Sequence, residues 1–444
     1  MRLGGKITAA IEILDDFQAR RRPLKITIND WARDNRFAGA KDRAWISGLC
    51  LDVLRRYASL AWVADSDTSR ARVLSALRFL WRVDTQELAV GAGDQHGPGA
   101  LSETECALLA HDTGVNDHPL WSRAADDVRA DIPVWCAPLF QCAFGNNAVA
   151  AGLALASRAD IDLRVNSLKA DSEKACAALS AVAARPAPFL KGALRIAAPD
   201  ASLRAPAVTS TPAFNKGWVE VQDLASQMAA AAAGNIKGLQ VFDYCAGGGG
   251  KTLALAAMMG NTGQLYAYDS DAHRLAPLFE RARRAGVRNL QIRSPMGGEG
   301  LADLQERMDV VFVDAPCTGS GTWRRHPDAK WRLSQAQLAR RMGDQEQVLA
   351  SAAQYVKPGG QLVYVTCSVF DEENQQAIDR FCAAHAAFHQ VGALENMTAS
   401  GAFHDDAREH LSAMTLPTGA VRIAPHEYRA DGFFIAVLNR RGDI

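Results

Sequence analysis

Residues 241–251 read VFDYCAGGGGK and decide the fold of the C-terminal half of the chain. The short apolar run predicts a strand, and a helical pattern over residues 252–259 follows the glycines. Glycines at a strand-to-helix turn let the backbone approach a ligand and direct amide N–H groups at it. From residue 217 onward, strand and helix patterns alternate, which is typical of βαβ units. We therefore predict a doubly wound α/β domain.

A second predicted strand, residues 264–268, ends on Asp269, about twenty residues beyond the glycines, as in dinucleotide-binding folds. A carboxylate there can accept hydrogen bonds from both hydroxyls of a cofactor ribose, in NAD and in S-adenosylmethionine alike. The alternative is a purely structural turn. The end of the loop resembles a phosphate-binding P-loop, but that motif needs a glycine where Cys245 stands, which disfavours nucleotide hydrolysis.

Two cysteines stand at the ends of two further predicted strands. Cys317 follows the run VFVDAP at residues 311–316, and Cys367 follows LVYVT at residues 362–366. Ligands of open α/β sheets bind outside the carboxyl ends of the strands, so both thiols face one crevice if the strands share a sheet. A lone cysteine after a strand is usually a small buried hydrophobe, but two matching corners near a cofactor loop favour sulfur chemistry.

The bulk composition limits the class of protein. A chain of 444 residues predicts two or three domains, and the lack of an eighteen-residue apolar run predicts no membrane span. The nine cysteines are scattered without a Cys-x-x-Cys pair, so we expect reduced thiols in a cytoplasmic protein, without disulfides or a metal site. A formal net charge of zero argues against a nucleic-acid binder, although local basic clusters can still supply a binding surface.

The chain divides into three predicted domains: helices over residues 1–131, a small α+β segment over 132–216, and the α/β domain over 217–444. In the first, apolar residues such as Ile7 and Leu14 recur at helical spacing. A basic stretch lies between two predicted helices and is either a solvated loop or a phosphate-contacting surface. Its members are Arg33, Arg36, Lys41 and Arg43.

The motifs together resemble the RNA cytosine-5 methyltransferases of the NOL1/NOP2/Sun family. The resemblance rests on residues 243–251, Asp269, DAPCTGSGT at residues 314–322 and TCS at 366–368. RRHPDAKW at residues 324–331 resembles the bacterial RsmB-type branch, which methylates 16S ribosomal RNA. The helical N-terminus with GAKDR at residues 39–43 resembles the NusB-like RNA-binding domain of that branch, and the segments 217–223 and 431–434 also fit.

This resemblance implies a set of roles. Cys367 would be the nucleophile that attacks carbon 6 of a cytosine, and Cys317 would act in release. Asp314 would hold the cytosine, and Lys251 would hydrogen-bond near the base or the acids of the pocket. Either Lys251 or Arg324 would lower the pKa of a thiol. The residues implied in binding S-adenosylmethionine are Cys245, Ala246, Gly247, Gly248, Gly249, Gly250, Lys251, Asp269 and Asp314.

The implied substrate is a cytosine of 16S ribosomal RNA that is unpaired or flipped out, since its reacting atoms must leave the base stack. We expect residues 323–332 to offer cations and aromatic faces for phosphate contact and stacking. We also expect a monomer that binds neither membrane nor metal. Two rivals stay open: a transfer-RNA cytosine-5 methyltransferase, and a non-catalytic RNA-binding factor of ribosome assembly. A nicotinamide dehydrogenase has no use for two corner thiols.

One segment departs from the family pattern. The family carries an acidic residue after its third strand, where residues 290–296 of this chain read LQIRSPM. We expect Ser294 or a backbone amide to replace that acid.

Overall fold

The computed structural model describes residues 1–112, 114–117, 120–199, 203, 205–293, 295 and 300–442. The helices of the first half are α1 (Leu3–Arg20), α2 (Leu24–Asp34), α3 (Ala40–Arg55), α4 (Tyr57–Ala64), α5 (Ser69–Ser75), α6 (Thr85–Gly93), α7 (Glu103–Leu109), α8 (Asp126–Ala130), α9 (Ala137–Phe144), α10 (Ala148–Leu155), α11 (Ser172–Ala178) and α12 (Pro212–Asn215). Those of the second half are α13 (Leu224–Ala230), α14 (Gly250–Met259), α15 (Ala272–Ala285), α16 (Pro327–Arg332), α17 (Gln335–Ala353), α18 (Gln375–Ala384), α19 (Ala393–Ala399), α20 (Arg408–Ala413) and α21 (Pro425–Tyr428). Within these described ranges, no helix has both the length and the apolarity needed to cross a membrane.

The strands follow in chain order. They are β1 (Ile161–Val165), β2 (Arg185–Pro186), β3 (Ala193–Ile196), β4 (Val219–Val221), β5 (Gln240–Asp243), β6 (Gln264–Tyr268), β7 (Leu290–Arg293), β8 (Met308–Asp314), β9 (Val356–Thr366), β10 (Phe388–Val391), β11 (Val421–Ile423) and β12 (Phe433–Arg440). The chain forms two compact units. Unit 1 comprises Met1–Arg158, Pro199–Ala205 and Trp323–Leu333, and unit 2 comprises the rest.

Unit 1 is helical. The predicted apolar face of the first helix is confirmed, because Ile7 and Leu14 are buried in a core that they share with Leu49 of α3. Helix α16 belongs to this unit although it lies between β8 and α17 in sequence. It is held to α3 by a hydrogen bond of 2.6 Å from Trp331 Nε1 to the carbonyl of Leu54.

Unit 2 contains two sheets. The smaller sheet is antiparallel, with strand order β2-β3-β1-β4. The larger has the order β10-β12-β9-β8-β5-β6-β7, with β11 paired to β12. Strands β9, β8, β5, β6 and β7 run parallel, so the predicted parallel sheet is confirmed for its centre. The sheet as a whole is mixed, because β12 returns antiparallel to β9 and pairs with β10 and β11 in the same sense.

Both faces of the large sheet are covered. Phe312 and Val363 lie in one apolar cluster, whereas their chain neighbours Val311 and Tyr364 lie in a second cluster on the opposite face. The chain continues from β5 to β6 and β7 in one direction, and β8 and β9 lie on the other side of β5. The crevice of such a sheet opens at this switch point, at the carboxyl ends of β5 and β8.

Candidate functional site

The glycine turn after β5 has the geometry that the sequence predicts. Gly247 and Gly249 have φ values of +50° and +84°, which favour glycine. A Cβ atom at Gly249 would lie 2.2 Å from Cδ1 of Leu278. Helix α14 then begins at Gly250. A side chain at position 249 would therefore push the turn away from α15.

Asp269 lies beside this turn because β5 and β6 are parallel neighbours. One carboxylate oxygen accepts a hydrogen bond of 2.9 Å from the amide of Gly247, and the other accepts one of 2.9 Å from the amide of Asp271. The side chain is buried and ties the glycine turn to the end of β6. The structure thus brings together the two features that the sequence pairs as a cofactor site.

Asp243 lies beneath the turn and is fully buried. It accepts a hydrogen bond of 2.6 Å from Thr252 Oγ1. Burial raises the pKa of this carboxyl to about 7. Asp243 therefore supports the start of α14 from within the core.

A cleft of about 390 Å³ opens above the turn, which is within the range of small-molecule sites. Cys245, Tyr268, Asp269, Asp314 and Pro316 contribute to its wall. The sequence did not point to the wall that α17 supplies, which consists of Arg341, Asp344, Gln347, Val348 and Ser351. A helix face of mixed polarity carries no local motif, so only the folded chain reveals it. The aromatic ring, the buried carboxylate and the glycine turn beside them fit an adenosine-type cofactor.

The two corner cysteines lie together. Strands β8 and β9 are parallel neighbours, with Asp314 opposite Val365. The Sγ atoms of Cys317 and Cys367 are 3.4 Å apart, in a contact where either sulfur can donate. This hydrogen bond, together with burial, raises the pKa of Cys317 well above its ordinary value. Cys317 is therefore held as a neutral thiol beside Cys367.

Lys251 and Asp314 form an ion pair next to the thiols. Lys251 Nζ lies 2.7 Å from a carboxylate oxygen of Asp314 and 5.1 Å from the centre of the Phe433 ring. Burial alone would lower the pKa of Lys251, but the charge and hydrogen bond of Asp314 outweigh it and raise that pKa. The field of Cys367 acts on the lysine in the same sense. A cation is thus fixed close enough to Cys367 to interact with its sulfur.

Glu373 joins the two cysteine corners, although no sequence motif points to it. One carboxylate oxygen accepts hydrogen bonds from the Thr318 amide at 2.8 Å and from Gln345 Nε2 at 3.0 Å. The other accepts hydrogen bonds of 2.5 Å from Thr318 Oγ1 and from Ser368 Oγ. The residues after Cys317 and after Cys367 therefore share one buried carboxylate. Burial raises the pKa of Glu373.

The C-terminal segment closes the same corner. The amide of Gly321 donates to the carbonyl of Cys367 at 2.9 Å, and the amide of Gly432 donates to the carbonyl of Gly321 at 2.9 Å. A Cβ atom at Gly321 would lie 2.0 Å from the carbonyl oxygen of Gly432. Residues 431–434 thus help to fix the backbone beside Cys367.

The expected stacking and phosphate-contacting role of residues 323–332 is wrong for three of its members. Trp323, Arg324 and Lys330 are buried within unit 1. Trp323 stacks on Phe140 with ring centres 5.9 Å apart, and burial lowers the pKa of Lys330 to about 7. Burying an aromatic side chain among helices is more favourable than leaving it exposed to water. The spacing of residues along the chain does not reveal this burial.

Two further expectations concern the surface and the third strand. In unit 1, Arg33, Arg36, Lys41 and Arg43 are exposed, and Phe37 among them is 72% exposed. Ser294, expected to replace an acidic residue after β7, lies outside the described residues. No group of three or more His, Cys, Asp or Glu side chains that could hold a metal occurs in the described part of the chain.

Known proteins share the sequence of the C-terminal half of the chain. Residues 235–439 match the family model of the 16S rRNA methyltransferases RsmB/F. By this domain, the chain belongs to the RsmB/F family. The resemblance inferred from the motifs is thereby confirmed at the level of the family.

Two curated relatives illustrate the similarity. The chain is 31% identical over 313 residues to a probable ribosomal RNA small subunit methyltransferase B of Synechocystis sp., covering 69% of this chain and 66% of that relative. It is 28% identical over 422 residues to ribosomal RNA small subunit methyltransferase B of Escherichia coli, covering 90% and 91%. Over the Synechocystis, Photorhabdus laumondii and Erwinia tasmaniensis relatives, the matched stretch spans 42–66% of their length.

Solved structures share the fold. The crystal structure of PH0851 superposes with a TM-score of 0.70 at 24% identity and covers 98% of this chain and 99% of its own. NSun6 from Pyrococcus horikoshii with SFG gives 0.57 at 20% identity, covering 70% and 99%. The C-terminal half therefore has the Rossmann-like fold with a mixed sheet found in methyltransferases.

Proposed function

We propose that this protein is an S-adenosylmethionine-dependent enzyme that methylates carbon 5 of a cytosine in 16S ribosomal RNA. The observation that carries the proposal is the 3.4 Å contact between Cys317 and Cys367. It lies beside the ion pair of Lys251 and Asp314, and Asp314 also lines the cleft. A binding protein needs neither thiol, which disfavours the non-catalytic alternative.

Cys367 is the proposed nucleophile. Its thiolate forms a bond to carbon 6 of the cytosine, which makes carbon 5 nucleophilic. Lys251 stabilises the negative sulfur before attack, because its charge is fixed and close. Asp314 is proposed to hold the ring nitrogen and exocyclic amine of the base. S-adenosylmethionine, when bound, supplies an electrophilic methyl group to carbon 5.

Cys317 is the proposed residue of the release step. After carbon 5 has gained its methyl group, the proton on that carbon must leave and the bond between Cys367 Sγ and carbon 6 must break. Solvent water takes the proton from carbon 5, the electron pair of the broken C–H bond reforms the double bond, and Cys367 leaves as a thiolate. The protonated water then replaces the proton that Cys317 gives up. Cys317 is held neutral against Cys367, so it can return a proton to the departing sulfur.

The cofactor residues fit that role by position. Asp269 is proposed to accept the ribose hydroxyls, and Cys245 and Asp314 line the same cleft. Residues 246–250 of the turn are proposed to contact the cofactor too, because the amide of Gly247 binds Asp269 directly. The similar NSun6 structure was solved with SFG, a SAM analogue, which supports the same use of this fold. The cleft volume of about 390 Å³ suits a ligand of this size.

We also propose that the N-terminal region, residues 1–131, is a NusB-like domain that binds the RNA. Its exposed basic stretch, from Arg33 to Arg43, surrounds Phe37, whose ring stands 72% exposed. Cations position an RNA backbone, and an exposed aromatic face stacks on an unpaired base. We also propose domain boundaries at residues 131 and 216. The protein is further proposed to be monomeric and cytoplasmic.

The deciding experiment measures methyl transfer from radiolabelled cofactor to 16S ribosomal RNA. Cys367→Ala is expected to abolish transfer, and Cys317→Ala is expected to accumulate a covalent protein–RNA adduct that resists denaturing gels. Cys142→Ala, at an exposed position of unit 1, is the matched control and should behave as wild type.

Full activity of Cys367→Ala would refute the nucleophile, and normal turnover of Cys317→Ala without an adduct would refute the release role. The same assay with transfer RNA in place of 16S ribosomal RNA tests the transfer-RNA methyltransferase alternative, which predicts methyl transfer to the transfer RNA. Sequencing the trapped RNA then identifies the modified cytosine.

A further inference from the structure

Unit 2 contains a second cavity of about 370 Å³, which we call the Arg164 cavity. It lies among β1, α13, α14 and the loop that contains Gly401. Part of its wall is apolar and is formed by small side chains, Ala230 and Ala231 at the end of α13 and Ala254 and Ala257 of α14. None of the residues assigned above to cofactor or cytosine lines it.

Arg164 reaches this cavity from β1. Its neighbours Leu163 and Val165 point into the apolar core of the small sheet, so alternation along the strand turns Arg164 to the opposite face. The residue is only 9% exposed. Its Nε donates a hydrogen bond of 2.7 Å to Gln222 Oε1, and among the described residues its terminal nitrogens have no partner.

The charge around Arg164 is not balanced. Glu220 stands opposite it in the register of β4, but its carboxylate is engaged by Arg281 at 3.0 Å and by Arg284. No described carboxylate comes within ion-pair distance of Arg164 itself. One carboxylate thus serves a cluster of three guanidinium groups. Burial accordingly lowers the pKa of Arg164 to about 10.

A buried cation that shares a single carboxylate with two other cations is costly, and an incoming anion would relieve that cost. A guanidinium presents paired N–H groups that match phosphate oxygens in a bidentate manner. At the rim stand the exposed Lys191 and the hydroxyl of Ser172, which can contact the same group. The one acid at the rim, Asp171, is already occupied in capping α11 through the amide of Lys174.

We propose that the Arg164 cavity binds a phosphate ester of mononucleotide size, with the phosphate on Arg164 and the ring of the base against Ala230, Ala231, Ala254 and Ala257, the alanine floor of the cavity. The volume exceeds that of an inorganic ion and falls within the range of small-molecule pockets. Such a ligand is either a free nucleotide or a terminal nucleotide of an RNA chain. The proposal does not depend on the methyl-transfer chemistry, because the cavity and the catalytic corner share no residue.

Calorimetry on the full chain tests the proposal, with the cofactor cleft kept filled by saturating S-adenosylhomocysteine. The probes are inorganic phosphate, guanosine monophosphate and the 5′-phosphorylated dinucleotide pGpG. We expect saturable binding of guanosine monophosphate, weaker binding of phosphate, and at least a tenfold loss of affinity in Arg164→Gln. Arg283→Gln, an exposed arginine of α15, is the matched control and should bind as wild type.

A second variant guards against misfolding of Arg164→Gln. Ala257→Phe leaves the cation in place but fills the floor, so it should lose guanosine monophosphate while keeping phosphate. Binding of pGpG but not of the free nucleotide would identify an RNA end as the source. Absence of saturable binding of all three probes to wild type would overturn the proposal, as would equal affinities in wild type, Arg164→Gln and Ala257→Phe.

Discussion

Removal of the Glu373 carboxylate should disconnect the two cysteine corners. In Glu373→Ala, four hydrogen bonds disappear at once, from the Thr318 amide, Thr318 Oγ1, Ser368 Oγ and Gln345 Nε2. Each hydrogen bond to a charged group contributes about 1.5–3 kcal/mol, and the relieved burial of the carboxylate offsets part of the sum. We expect the free energy of unfolding to fall by about 3–5 kcal/mol.

The effect on catalysis should exceed that of a general loss of stability. A displacement of about 1 Å in a reacting group can lower the rate about a hundredfold, and the Cys317 and Cys367 corners are free to shift once the carboxylate is gone. The assay is kcat and KM for methylation of 16S ribosomal RNA at a temperature where the variant stays folded by circular dichroism. The fall is expected in kcat, with KM for the RNA nearly unchanged.

Two further variants make the test specific. Glu373→Gln keeps the shape, and its amide can donate to the two hydroxyls after they rotate, so it should lose less than tenfold in kcat, or about 1.4 kcal/mol. Glu346→Ala removes an exposed glutamate of α17 and should have no effect on kcat. A folded Glu373→Ala protein with wild-type kcat would refute the idea that this carboxylate positions the thiols.

Two other predictions concern the turn below the cleft. Gly249→Ala should destabilise the protein by about 2–4 kcal/mol, because the positive φ and the contact with Leu278 oppose a Cβ. Gly250→Ala is the control and should change the melting temperature little, because open space surrounds Gly250. Equal shifts of the melting temperature in the two variants would contradict the argument. The Asp243 carboxyl holds its proton up to about pH 7 in the folded protein, against 3.8 for the free group, so its contribution to stability is present at low pH and is lost as the pH rises through 7. In urea titrations, the stability of wild type should therefore fall by about 3 kcal/mol more between pH 5 and pH 8 than that of Asp243→Asn, and identical pH dependence would contradict the assignment.

Local patterns predicted the parts of the site that local structure builds. Each strand, turn and acid up to Asp269 lies within one βαβ unit, where the order of residues dictates their neighbours. The pairing of Cys317 with Cys367 also followed, because parallel strands align their carboxyl ends. The antiparallel return of β12 did not follow, since a strand's direction depends on the connection that precedes it.

What the sequence could not provide depends on packing between distant segments. Glu373 reads as one acid in an acidic run, and only the fold shows that it is buried against Thr318 and Ser368. Trp323 and Lys330 read as a surface for RNA because aromatic and cationic residues alternate there. Their burial in unit 1 is a property of helices that lie hundreds of positions earlier in the chain.

The membership of α16 in unit 1 sets the order in which this protein can be completed. Arg55 donates to the carbonyl of Arg324, 269 positions away, and Lys330 donates to the carbonyl of Arg55. During synthesis, α1–α10 emerge long before Arg324, Lys330 and Trp331. The helical unit therefore lacks α16, and its binding site for Trp331 stays unfilled, until strands β1–β8 have been synthesised. Contacts of such long sequence separation also slow folding. Because residue 317 precedes residue 323, a chain whose helical unit is complete has already synthesised its Cys317 corner, and a chain cut short before that point is left with exposed aromatic surface.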